Sequence, residues 1–197
     1  MKVIAVNGSP RKGGNTEQMI REVFKVLNSS GIQTELIQIG GRLIQGCRAC
    51  GECYERRNEK CIHDDDIINE CVARMKTAQG IIIGSPTYFA DLTPETKALI
   101  DRVGYVTRAN GHLLRRKVGA AVVAVRRAGA LHVFDSINHF FLINQMIVPG
   151  SSYWNLSQAR NRGDFERDEE GVQTMRTLGE NMVWLLKRLN ASDPQVG

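Results

Sequence analysis

Short apolar runs, each followed by a turn and then by a stretch of helical periodicity, leave a chain few folds to adopt. This sequence begins that way. Lys2 to Val6 is a short apolar strand, and Asn7-Gly8-Ser9-Pro10-Arg11-Lys12-Gly13-Gly14-Asn15-Thr16 follows it. Met19, Ile20, Val23, Val26 and Leu27 then recur at helical spacing up to Ser29-Ser30-Gly31. The alternation continues. Gln33 to Ile39 reads as a second strand, Ile81-Ile82-Ile83 as a central one covered on both faces, Val118 to Val125 as a fourth, and Met146-Ile147-Val148 as a short fifth. Between them the pattern predicts a helix opening on Asp64-Asp65-Asp66 and running to about Met75. Another starts at Thr93-Pro94 with Thr93 as its N-cap, and a third covers Leu131 to Leu142. A long amphipathic helix from Val172 to Leu189 closes the series. The expectation is a doubly wound α/β sheet of five parallel strands with right-handed crossovers. Spacing alone does not give the strand order.

The turn after the first strand has the chemistry of an anion site. Its glycines let backbone approach a ligand, and the free N–H groups at the helix start favour negative charge. Ser9, Asn15 and Thr16 offer hydrogen bonds, and Arg11 and Lys12 offer positive charge, so a phosphate suits the set. The plainer reading is a capped helix after a tight turn, with Asn15 as N-cap and Gln18 completing a capping-box variant. The glycine spacing matches neither the dinucleotide fingerprint nor a P-loop, which points to a mononucleotide phosphate. The third strand runs into Gly84-Ser85-Pro86-Thr87-Tyr88-Phe89-Ala90-Asp91-Leu92. Two adjacent aromatics at the carboxyl end of a central parallel strand lie where such sheets bind ligands. The alternative is that Tyr88 and Phe89 pack on their own helix.

Four of the five cysteines, Cys47, Cys50, Cys53 and Cys61, fall in one stretch, two, two and seven residues apart. Four thiolates on a short loop can hold an iron–sulfur cluster. The Cys-x2-Cys-x2-Cys run is the compact part of the bacterial ferredoxin pattern, although the last gap here is longer and no proline follows Cys61. Structural zinc competes for the same ligands, but zinc sites more often use separated pairs. Free thiols or disulfides are a third state. Cys71 shares a helical face with Ile67, Ile68, Val72 and Met75 and reads as a small buried apolar residue. Mixed charges at Arg48, Glu52, Arg56, Arg57 and Lys60 surround the thiols.

A net charge of +5 in 197 residues, without a basic stripe interleaved with aromatics, argues against nucleic acid. It fits an anionic cofactor or an acidic partner better. No apolar run is long enough to span a bilayer, and the start lacks the features of a signal peptide, so a cytoplasmic protein is expected. One domain over residues 1–190 is predicted, with a cysteine loop at 46–63 after the second strand and a flexible tail over 191–197.

Gly8-Ser9-Pro10-Arg11 with Gly14-Asn15-Thr16, and Ser85-Pro86-Thr87-Tyr88-Phe89, resemble the flavin loops of the flavodoxin-like NADPH-dependent FMN reductase family. With Cys47, Cys50, Cys53 and Cys61 added, the chain is similar to its iron–sulfur flavoprotein branch. The resemblance runs from Met1 to about Leu189. It implies strand order 2-1-3-4-5, bound FMN, a 4Fe-4S cluster on the four cysteines, and electron transfer by a homodimer or homotetramer. Carried over by position, Ser9, Arg11, Lys12, Asn15 and Thr16 hold the phosphate, and Pro86, Thr87, Tyr88, Phe89 and Ala90 line the isoalloxazine. Arg126, Arg127 and Gly129 approach its other edge, and a guanidinium there favours the anionic reduced ring. Tyr153 and Trp154 either cover a flavin, in this or a neighbouring subunit, or pack the C-terminal segment. No side chain is expected as acid or base. A ferredoxin-type partner and NAD(P)H are both open as electron donors. Two other functions fit the residues: an NAD(P)H-dependent FMN or quinone reductase without a cluster, and a non-enzymatic FMN- or zinc-binding module.

Overall fold

The computed structural model describes residues 1–191, so the expected tail lies, apart from Ala191, outside the described residues. Its strands are β1 (Lys2–Asn7), β2 (Gln33–Gln38), β3 (Gly80–Pro86), β4 (Val118–Val125) and β5 (Leu156–Gln158). They form one parallel sheet in the order β2-β1-β3-β4-β5. The helices are α1 (Asn15–Ser29), α2 (Glu52–Arg56), α3 (Ile68–Thr77), α4 (Pro94–Ala109), α5 (Ala130–Ile143) and α6 (Glu169–Asn190). Successive strand residues point to opposite faces. Ile4, Val6, Ile81, Ile83 and Val123 therefore join the core under α3, α4 and α5, while Val3, Ala5, Ile82 and Val122 join the core under α1 and α6. Both faces are covered, which is why β3 and β4 are apolar at nearly every position.

The fifth strand is not where the apolar run Met146-Ile147-Val148 suggested. Ile147 makes a single bridge with Val118. Met146 is apolar because it is buried, where it fills the space beside Gly119 and Phe141. The chain then leaves the sheet edge through a loop carrying Tyr153 and Trp154, and re-enters it as Leu156–Gln158 opposite Val123–Val125. The two aromatics thus precede the last strand rather than follow it. Only three residues long and at an edge, that strand needs no apolar run. Its central Ser157 is buried and donates to Asp168 at 2.6 Å, and Asp168 in turn caps α6.

The acidic trio also differs from expectation. Helix α3 starts at Ile68, so Asp64 and Asp65 precede it. Asp66 accepts the Ile68 N–H at 3.0 Å with one carboxylate oxygen and pairs with Arg102 through the other. Thr93 caps α4 as expected, with Pro94 in the first turn. Among the described residues no helix is long and apolar enough to cross a membrane.

Helices α1 and α6 cross closely because Gly179 has no side chain: a Cβ there would lie 2.8 Å from that of Val26. Glu22 lies at this contact, bonded to Lys25 on its own helix and at 2.8 Å to Arg176 on α6. Burial pulls its carboxyl upward, but the hydrogen bonds and charges of Lys25 and Arg176 outweigh that and hold it below the usual value of 4.5. A depressed carboxyl stabilises the fold above its unfolded pKa, and that contribution is lost as pH falls through the folded value. Glu22→Gln is therefore expected to flatten the fall in stability below about pH 4.5, read as urea midpoints from pH 7 down to pH 3. An unchanged acid limb would remove Glu22 from this role.

Candidate functional site

The turn between β1 and α1 is fixed before any ligand arrives. The Gly8 N–H donates to the Gly84 carbonyl at 2.8 Å, and Thr93 Oγ1 donates to the Gly8 carbonyl at 2.9 Å. Neither Gly8 nor Gly40 has room for a side chain. A Cβ on Gly8 would fall 1.9 Å from Thr96 Oγ1, and one on Gly40 would lie 2.3 to 2.5 Å from the backbone of Ser9 and Gly8. The Asn7 side-chain carbonyl accepts the Ser9 N–H at 3.0 Å, and the Ser9 hydroxyl accepts the Arg11 N–H at 3.3 Å.

Further along, the Gly13 N–H donates to the Glu17 carboxylate at 2.6 Å. Burial raises that carboxyl, but Gly13, Arg21 and the Arg162 charge together hold it low. The N-cap of α1 is Gly14, with no side-chain cap, so the first N–H groups of the helix stay open to an anion. Asn15 is thus the first helical residue and not the N-cap. Its side-chain amide donates to the Asn161 carbonyl at 2.7 Å, and its carbonyl oxygen accepts from Gly163 N–H and Phe165 N–H at 3.1 and 3.4 Å.

A cavity of about 620 Å³ opens over this turn at the carboxyl ends of β1, β3 and β4. Ser9, Arg11, Lys12, Asn15 and Thr16 line it from one side, Pro86, Thr87 and Tyr88 from another, and Arg126 from beyond β4. Phe89, Ala90, Arg127 and Gly129 are not in its wall. Phe89 is fully exposed and, with Ala90, has a positive φ at the tip of a tight turn closed by mutual Tyr88–Asp91 backbone bonds. Gly129, at φ +88°, lies against that turn: a Cβ there would sit 3.0 Å from Ala90 Cα. It supports the loop from behind, and Arg127 is exposed beside it.

Two cations in the wall had no sequence signal. Arg160 and Arg162 reach the cavity from the segment after β5, where Arg162 Nε donates to the Gly13 carbonyl at 3.2 Å. Thr87 Oγ1 is buried in the wall and has no hydrogen-bond partner among the described residues. A buried orphan hydroxyl, a cationic rim and an open helix start fit a phosphorylated polar ligand.

The thiols form a second site. Cys47, Cys50, Cys53 and Cys61 all line one cavity of about 220 Å³, closed from α4 by Arg102, Tyr105 and Val106. The loop curls through left-handed conformations at Ala49, Gly51, Arg57 and Glu59, three of which are not glycine. Non-glycine residues bear that strain only where surroundings impose it. The Ala49 N–H donates to Cys47 Sγ at 3.4 Å. Asn69 clamps Cys61 at both backbone groups, accepting its N–H at 2.8 Å and donating to its carbonyl at 2.9 Å. Burial pushes the Cys53 thiol up, and charge on the other three sulfurs would push it further. No three His, Cys, Asp or Glu side chains among the described residues are gathered as a single metal ion requires. Cys71 is apart, buried in the core with its thiol pushed up to about 12 by burial.

The Asn15 contacts tie the anion turn to the segment that delivers Arg160 and Arg162. Asn15→Ala is expected to cost about 1–3 kcal/mol of stability, measured by urea denaturation, with faster amide exchange over 159–165. Exchange no faster than in the unmodified protein would show that the segment is held by other contacts.

Residues 1–161 match the NADPH-dependent FMN reductase family. The chain is 37% identical over 194 residues to an iron–sulfur flavoprotein of Methanocaldococcus jannaschii, covering 95% of this chain and 98% of that one. It is 33% identical over 195 residues to the iron–sulfur flavoprotein of Methanosarcina thermophila, covering 95% and 96%. Its fold is shared with an NAD(P)H:quinone oxidoreductase from Methanothermobacter marburgensis, at a TM-score of 0.65 and 14% identity over 100% of this chain and 99% of that one. The chain thus belongs to the NADPH-dependent FMN reductase family, in its iron–sulfur flavoprotein branch, and is a flavoprotein oxidoreductase.

Proposed function

We propose that this protein transfers electrons between FMN, bound in the cavity over the β1–α1 turn, and a 4Fe-4S cluster held by Cys47, Cys50, Cys53 and Cys61. The observation that carries the reading is the ring of all four thiols around one cavity. Zinc–sulfur bonds of about 2.3 Å need the thiolates pressed onto one point. Sulfurs distributed around about 220 Å³ suit a larger body in which each thiolate binds its own iron. Bound in these cavities, the flavin supplies one- and two-electron chemistry and the cluster a one-electron centre.

The chain's own residues bind and orient. Ser9, Thr16 and the open N–H groups of α1 receive the phosphate, with Arg11 and Lys12 neutralising it and Arg160 and Arg162 adding charge from the segment packed against the same turn. Pro86, Thr87 and Tyr88 lie along the ring, and Thr87 Oγ1 is free to bond a polar edge of it. Phe89 and Ala90 shape the turn rather than touch the ring, with Gly129 packed behind them, and Arg126 is the guanidinium able to favour an anionic ring. No residue serves as a general acid or base. The protein works in the cytoplasm as a homodimer or homotetramer, a reading supported by exposed Phe89, Leu142, Ile143, Tyr153 and Trp154. A ferredoxin-type protein or NAD(P)H exchanges electrons with it.

Anaerobic quantification of iron, sulfide and flavin in one sample tests the reading. About four iron, four sulfide and one FMN per chain are expected. Flavin without iron or sulfide, even after reconstitution, would eliminate the cluster, and rapid bleaching by NADPH would then identify a reductase. A colourless protein that takes up no FMN would leave a binding module. FMN should also bind at least about 100-fold more tightly than riboflavin, since each charge-assisted bond to the phosphate contributes about 1.5–3 kcal/mol. Equal affinities in a fluorescence titration would remove the phosphate from the β1–α1 turn.

A further inference from the structure

Arg102 on α4 is a charged side chain in a place an apolar one would ordinarily take. Its Nη1 donates to the Gln45 carbonyl at 3.2 Å and to the Asp66 carboxylate, and its Nη2 donates to the His63 carbonyl at 2.6 Å. Gln45 lies just before Cys47 and His63 just after Cys61. One guanidinium therefore ties both ends of the thiol loop to the same point on a core helix. It does so out of water, at 1% side-chain exposure with Asp66 at 5%.

The Nε of that guanidinium is buried and has no partner among the described residues. A buried charged donor left unmet costs more than a neutral one, so its presence needs a reason. Arg102 lines the cavity that all four thiols line. Cys61, on the same cavity as Arg102, is pinned through its backbone by Asn69.

We propose that Arg102 is a positioning residue for the sulfur-bound group: its fork holds the thiol loop open around the cavity, and its unpartnered Nε–H is kept for the group that the four thiols hold there. This rests on the cluster reading above. Hydrogen bonds to sulfur and the local net charge set the potential of iron–sulfur centres. Arg102 lines the thiol cavity and Asp66 does not, so the buried pair turns its positive end to the centre, which favours the more negative, reduced form and raises the potential. Lysine cannot substitute, because an ammonium lacks the planar fork that reaches Gln45, Asp66 and His63 together.

The test uses full-length, FMN-loaded protein reconstituted anaerobically with iron and sulfide. Arg102→Gln combined with Asp66→Asn removes the buried pair together and leaves no lone buried carboxylate. In this variant the iron–sulfur midpoint should move to lower potential in a spectroelectrochemical titration, while the flavin midpoint stays in place. Amide exchange over residues 46–63, followed before reconstitution, should rise several-fold. Arg102→Lys keeps the charge and should show the faster exchange with a smaller shift of potential. It also carries the test if the double variant does not fold. Variants that keep their iron and sulfide with unmoved potential and unmoved exchange would overturn the assignment of Arg102 while leaving the cluster reading intact. Wild-type protein that takes up no iron or sulfide would overturn the cluster reading, and this proposal with it.

Discussion

The single bond from Gly8 N–H to the Gly84 carbonyl joins the ends of β1 and β3 at the point where the winding of the sheet reverses. In a doubly wound sheet the connections leave in opposite directions there, so a crevice is unavoidable. What lines it depends on how tightly the two strand ends are held. Gly8 and Gly40 permit a backbone-to-backbone approach that no side chain would allow, and Thr93 fastens the same turn to the start of α4. The turn is therefore rigid where it meets the sheet. Its open N–H groups are presented by a helix whose first turn is anchored through Asn15 to a segment from the far edge of the sheet.

The two sites are built on different principles. The larger cavity is assembled from the ends of strands, and its polar groups are inherited from the way a parallel sheet terminates. The thiol cavity belongs to an excursion of the chain between β2 and α3 that adds no strand to the sheet. Its order comes from side chains that reach out from the body: Arg102 to Gln45, His63 and Asp66, Asn69 to Cys61, and Asn110 to Glu59. Hydrogen bonds of this kind replace the apolar burial that the exposed Cys47 and Cys50 lack. Of the four thiols, Cys53 and Cys61 lean on the core.

Much of the fold was readable because the sheet is buried on both faces. Ile81-Ile82-Ile83 and Val118 to Val125 are apolar for no reason other than their place in the middle of it. At the edge that logic fails. Met146 is apolar because it fills the space beside Gly119 and Phe141, and Ile147 makes one bridge to Val118, whereas the strand itself is Leu-Ser-Gln, held by hydrogen bonds. Local chemistry made the anion turn and the thiol spacing legible. Contacts made over long separations left no trace: Arg160 and Arg162 meet a loop at the opposite end of the chain, and Arg102 looks like one more charge on a helix surface. Asp66 does serve the start of α3, but its ion-pair partner lies on another helix and leaves no local signal.

Cys71 differs from the other cysteines by burial alone, and that difference has a chemical consequence. With its thiol pushed up to about 12, it presents almost no nucleophilic thiolate at neutral pH. Alkylating reagents that attack the peripheral thiols find no reactive thiolate at Cys71 in the hydrophobic interior. Thiol modification is thereby directed to a segment between β2 and α3 on which no strand depends.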